Sequence, residues 1–154
     1  MTRSGRRTPG RPAVLLVLLT LLATACVGPA LRDDDYRRKA VASLEQLEAT
    51  IAGTEVALDA AIAGRSFATS TAVTLRQHEE TVSWTHTAFA SRQPPPGTDA
   101  IRAAVVPLLA EASAVMGDIR IAANRTDVRR LAELRGRLGE LGGRVEGSLR
   151  EVRR

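Results

Sequence analysis

Cysteine is almost missing. Cys26 is the only one in 154 residues, which excludes an intramolecular disulfide and any metal site built from paired thiolates. Aromatic side chains are nearly as scarce: Tyr36, Phe67, Trp84 and Phe89 are the full set. That is too few for the stacked platforms with which proteins grip nucleic acid, so no nucleic-acid partner is expected. Lysine is reduced to Lys39 among 22 basic residues, while Ala and Gly abound. This is the pattern of GC-rich codon usage, and arginine richness by itself therefore says little about partners. The N-terminal apolar stretch, Ala13 to Ala25, has only thirteen residues. A helix needs about 20 to cross a bilayer, so this stretch is too short for a permanent span.

What the stretch does have is the build of an export signal. Arg3, Arg6, Arg7 and Arg11 form a positive region ahead of it, and Ala23-Thr24-Ala25 closes it just before Cys26. In these features residues 1–26 resemble a bacterial lipoprotein precursor. That family's cleavage box runs Leu, then Ser, Ala or Thr, then Gly or Ala, then the lipidated Cys; here Ala23 stands in the Leu position and the nearest Leu is Leu22. The resemblance implies that residues 1–25 are removed as a signal peptide and that Cys26 is acylated. Residues 26–31 then form a lipidated tether, and residues 32–154 are held at the extracytoplasmic side of the cell membrane. The small residues Ala23 and Ala25 also fit ordinary signal peptidase, which cuts the same bond and releases a secreted chain. Arg6-Arg7 is followed by Thr8-Pro9-Gly10 and not by an apolar pair, so it does not complete a twin-arginine signal.

Removal of the signal changes the charge balance. Four of the 22 basic residues lie in it and all 17 acids lie beyond residue 32, so the formal charge falls from +5 to about +1. An asymmetry survives: ten Arg and five acids from Arg120 to Arg154. A basic last segment suits an acidic neighbour or an anionic surface.

The remaining 129 residues suffice for one core, and helical periodicity runs through almost all of them. Asp33-Asp34-Asp35 suits a helix start, and Leu44, Leu47, Ile51, Leu58 and Ile62 carry an apolar stripe as far as Gly64-Arg65-Ser66. A second helix over 67–92 bears Leu75, Val82 and Phe89 seven apart but is loaded with Thr, which lowers its helicity. Pro94-Pro95-Pro96-Gly97 then forces a reversal. The third helix, with Thr98-Asp99 as its cap, carries Ile101, Val105, Leu108, Ala112, Val115, Ile119 and Ala122; Pro107 inside it predicts a kink over 103–107. Thr126-Asp127 caps a fourth helix bearing Leu131, Leu134, Leu138, Leu141, Val145 and Val152, with internal pairs Glu133–Arg137, Glu140–Arg144 and Glu146–Arg150. The fold class is all-α, an up-down-up-down four-helix bundle. The alternative is a long antiparallel helical hairpin, because the stripe of the first helix stays in phase through Gly64 into Leu75.

The same sequence is thin in chemistry. His78 and His86 are eight apart and Glu79 and His86 seven, too far along a helix to share a metal ion, and no Glu-x-x-His pair exists. Nucleophile-elbow and phosphate-loop motifs are missing. No catalytic residue, metal or cofactor is expected. Two readings remain. In the first, the protein is a binding or scaffolding module for a protein or envelope partner, with an outward Trp84 and the basic Arg129, Arg130 and Arg137 as its surface. In the second it is a small-ligand sensor or carrier, with Glu79 and His86 near the Pro107 kink forming a spot between helices. Gly136, Gly139, Gly143 and Gly147 form a side-chain-free strip that would admit another helix or a wall polymer.

Overall fold

A computed structural model describes residues 32–154. The signal segment, Cys26 and the tether to residue 31 lie outside the described residues. Four helices follow one another: α1 Asp33–Ile62, α2 Ala68–Ala90, α3 Asp99–Asn124 and α4 Val128–Val152. Each packs along its neighbours in the chain, α4 also packs along α1, and α1 and α3 meet weakly across the diagonal. This is a four-helix bundle, and no strand occurs among the described residues. The hairpin alternative fails because α1 stops at Ile62 and α2 lies back against it.

The stop has a clear cause. Gly64 adopts a left-handed backbone, φ 66°, which lets its N–H reach Ala61 O at 3.0 Å while Arg65 N–H reaches Ala60 O at 2.9 Å. Those two bonds satisfy carbonyls that the helix end orphans, the Schellman arrangement. The α3–α4 turn repeats it with Thr126 N–H to Ala123 O and Asp127 N–H to Ala122 O, both 3.0 Å. Here the left-handed residue is Thr126, φ 54°. Asp127 then caps α4 through Oδ1, which accepts from Arg130 N–H at 3.0 Å.

The opposite end is tied by arginines. In the α2–α3 loop Gly97 is left-handed, φ 90°, and Arg102 donates to Arg92 O and Ala90 O, both at 2.9 Å, covering the last carbonyls of α2. Arg37 near the start of α1 donates to Val152 O at 2.7 Å, at the end of α4. Thr98 does not cap α3 with its side chain; it is buried, and its hydroxyl donates back to Pro95 O at 2.8 Å. The carboxylates of Asp33, Asp34 and Asp35 fill the first turn of α1, but its N-cap is Arg32, without a side-chain bond.

The core is aliphatic. Leu44, Leu47, Ile51 and Leu58 of α1 face Leu75, Val82 and Phe89 of α2 and the Leu stripe of α4 from Leu131 to Leu149. Phe89 also packs on Tyr36, ring centroids 5.3 Å apart. In α3 the heptad reading needs correction: Leu109 is fully buried and Leu108 only partly, because α3 packs between α2 and α4 and buries a wider stripe that includes Met116. Pro107 is exposed and α3 continues through it without interruption. By length and composition α3, mean hydropathy 1.5 over its most apolar window, suffices to cross a membrane; in this fold it supplies core side chains to the bundle.

Electrostatic ties between helices follow a different plan from the one expected within α4. Glu146–Arg150 forms, but Arg137 turns to Asp118 and Arg144 to Glu111, both on α3. Arg135 reaches Glu55 and Asp59 of α1 at 2.9 and 3.1 Å. Exposed pairs of this kind contribute at most about 1 kcal/mol each, but they fix which faces α4 presents to its neighbours.

Candidate functional site

The middle of α2 breaks its own apolar stripe. Between Leu75 and Val82 a core-facing helix needs one more apolar side chain at 78 or 79, and the sequence puts His78 and Glu79 there. Both are half-buried, and they point to different neighbours. His78 faces α1: its Nδ1 lies 2.9 Å from Thr54 Oγ1. Thr54 gives its single hydroxyl proton to Thr50 O at 2.7 Å, so the geometry assigns the proton of the His78 bond to Nδ1–H. Gly53 makes room for the ring, since a Cβ there would stand 3.3 Å from His78 Cε1. Burial pushes the His78 pKa below its ordinary value and favours the neutral ring.

Glu79 faces α3, where its Oε2 accepts from Arg120 Nε at 2.5 Å. Arg120 and Arg102 are the only basic residues of α3, and Arg120 is the one that meets the half-buried carboxylate. Outward from this pair lies an open groove between α2 and α3, about 740 Å³ in volume, lined by Arg76, Glu79, Glu80, Ser83, Trp84, Thr87, Ser113 and Arg120. Trp84 is 74% exposed at its edge. Arg76 donates to Glu80 at 2.7 Å across one turn. A second, smaller pocket of about 200 Å³ shares Arg76 and Arg120 with it and is lined also by Thr69, Ala72, Val73 and Asn124.

The expected residues are thus divided. Trp84 is outward, as its phase predicts, and Glu79 lines the same groove. His86 is half-buried, does not line the groove, and shares no hydrogen bond with Glu79 among the described residues. Arg130 and Arg137 lie on the other side of α3, each 3.8 Å from Asp118, so they do not extend the Trp84 surface. Arg129 is exposed. The glycine strip is also not one surface: a Cβ at Gly139 would meet Arg135 and Glu55, whereas Gly136, Gly143 and Gly147 have nothing within 4 Å. Sequence reading missed Arg120 and set His78 aside. The gap in the α2 stripe was the available signal for His78, and an ionised carboxylate near a seam, which requires a cation, was the signal for Arg120.

Among the described residues no group of three His, Cys, Asp or Glu side chains converges to hold a metal ion. The groove presents an aromatic plate, three hydroxyls and two ion pairs whose guanidinium groups carry further N–H donors. Compared with protein-family models, curated proteins and solved structures, the chain matches none.

Proposed function

We propose that this protein is a lipid-anchored extracytoplasmic binding module, without catalytic activity, that engages a partner of the cell envelope through the α2–α3 groove. The observation that carries the reading is Trp84, the one Trp of the chain, left 74% exposed beside a groove of about 740 Å³. A large ring without a core to join contributes little to folding, whereas its burial by a partner contributes a few kcal/mol. Membrane attachment rests on the resemblance of residues 1–26, with Cys26 as the acylated residue. A carrier holding its ligand inside the bundle has less support, because the interior is filled by Leu, Val and Ile side chains.

The test joins address and surface. Wild-type protein should partition with membranes and carry acyl mass, and Cys26→Ser should lose both. A photo-crosslinking residue at Ser83, exposed beside Trp84 in the groove lining and introduced in cells, should trap envelope material, whereas the same residue at exposed Val56 of α1 should not. Equal yields from the two positions would remove the groove from the proposal.

A further inference from the structure

We infer that the α2–α3 groove is a saccharide site, taking a neutral oligosaccharide with the apolar face of one pyranose ring stacked on Trp84. The inference rests on the proposed binding role of this groove and names its ligand class. The lining charges cancel, since Arg76 is paired with Glu80 and Arg120 with Glu79. A groove of zero net charge gives no advantage to an anionic ligand such as a phosphate or a nucleic acid. A partner helix would need several apolar anchors along three or four turns, and of the eight residues lining the main groove Trp84 alone has a large apolar side chain. What remains is a ligand that is itself uncharged, dense in hydroxyls, and apolar on one face.

The polar inventory fits such a ligand. Ser83, Thr87 and Ser113 supply hydroxyls; Ser113 donates to Leu109 O at 3.0 Å and keeps its lone pairs as acceptors. Each paired guanidinium retains N–H donors, and each paired carboxylate retains lone pairs, so a neutral ion pair presents adjacent donors and acceptors, as a pair of neighbouring sugar hydroxyls requires. Trp84 lines the groove and is 74% exposed, and an indole π face stacks on the polarised C–H bonds of a pyranose, a weak contact made effective by the area it buries. From Arg76 to Thr87 the α2 wall is about 16 Å long, so the groove accommodates a chain of a few sugar units and not a monosaccharide alone.

Because Trp84 is the sole Trp, intrinsic fluorescence of the full chain in detergent reads the site directly. Chitotetraose, cellopentaose and maltoheptaose are the probes, titrated to about 10 mM, with inorganic phosphate and an amphipathic helical peptide alongside. The expected result is a saturable change in Trp emission with at least one of the three sugars, tighter for the oligomer than for its monomer and little altered by added salt. Calorimetry should show the affinity falling about tenfold or more in Trp84→Ala and severalfold in the Ser83→Ala, Thr87→Ala double variant, with helicity by circular dichroism kept in both. No response to any of the three sugars overturns the inference. So does a response shared with phosphate and erased by salt, or saturation by the peptide alone. These outcomes leave the groove as a docking surface, because the Ser83 crosslinking in cells reports on that independently.

Discussion

Among the described residues Thr126 is the one non-glycine residue with a left-handed backbone. A β-branched side chain at φ 54° crowds its own carbonyl, yet the turn needs that conformation to close the two Schellman bonds at the end of α3. Gly64 meets the same demand without a Cβ. Thr126→Gly is therefore expected to raise the unfolding free energy by about 1 kcal/mol, read as a higher denaturant midpoint; an unchanged or lower midpoint would show that the turn relaxes the strain in another way. His78 carries the pH dependence. Its pKa is lowered by burial, so the unfolded chain binds its proton more readily than the folded one. Its stabilisation is present above the ordinary histidine value and is lost as pH falls through the lowered one. Between pH 7 and pH 5 the unfolding free energy should fall more steeply for wild type than for His78→Gln, with Glu111, held below its usual range by the Arg144 hydrogen bond, acting alike in both. Parallel curves would dismiss His78 as the titrating group.

At the scale of the element, α4 is the helix with most to gain. A Cβ added at Gly136, Gly143 or Gly147 meets nothing within 4 Å, and Gly costs about 1 kcal/mol relative to Ala in a helix interior. Gly136→Ala with Gly143→Ala should thus stabilise by about 2 kcal/mol in urea unfolding, the two sites being far enough apart to add. Gly142→Ala should give less, since its Cβ would press on Ile51 Cγ2 at 3.4 Å. The same element shows what periodicity conveys and what it does not. Leu131 to Val152 announced the buried face of α4 because every step repeats one geometric rule, and Thr126-Asp127 announced where it starts. The partners of Arg137 and Arg144 stayed hidden, because Asp118 and Glu111 belong to another helix and their position depends on how α3 rotates against α4. Leu109 taking the place expected of Leu108 has the same origin: a single heptad describes one neighbour, and α3 has two. In α2, one stripe position filled by His78 and Glu79 split toward two helices, a choice made by Thr54 on one side and Arg120 on the other.

For the whole molecule, turn chemistry was as legible as periodicity. Gly64 and the Pro94–Gly97 run mark where the chain must reverse, and four segments of similar length with short connections leave few arrangements besides a bundle. The groove was not legible, since its lining combines side chains of α2 with Ser113 and Arg120 of α3, and no local rule encodes how two helices face each other. One tie has a consequence for the order of the chain itself. Arg37 bonded to Val152 O brings the entry of α1 beside the exit of α4, so the four helices close into a ring that covalent connection interrupts at only one side. A circular permutant that joins Arg154 to Arg32 through a short glycine-serine linker and opens the backbone at Gly97 should keep all four helices and the single Trp environment, seen as an unchanged far-ultraviolet spectrum and emission maximum. Such a molecule would carry its new ends where α2 and α3 used to be joined. Which helix comes first would then be an accident of history, and cyclic adjacency, not sequence order, would be what the fold preserves.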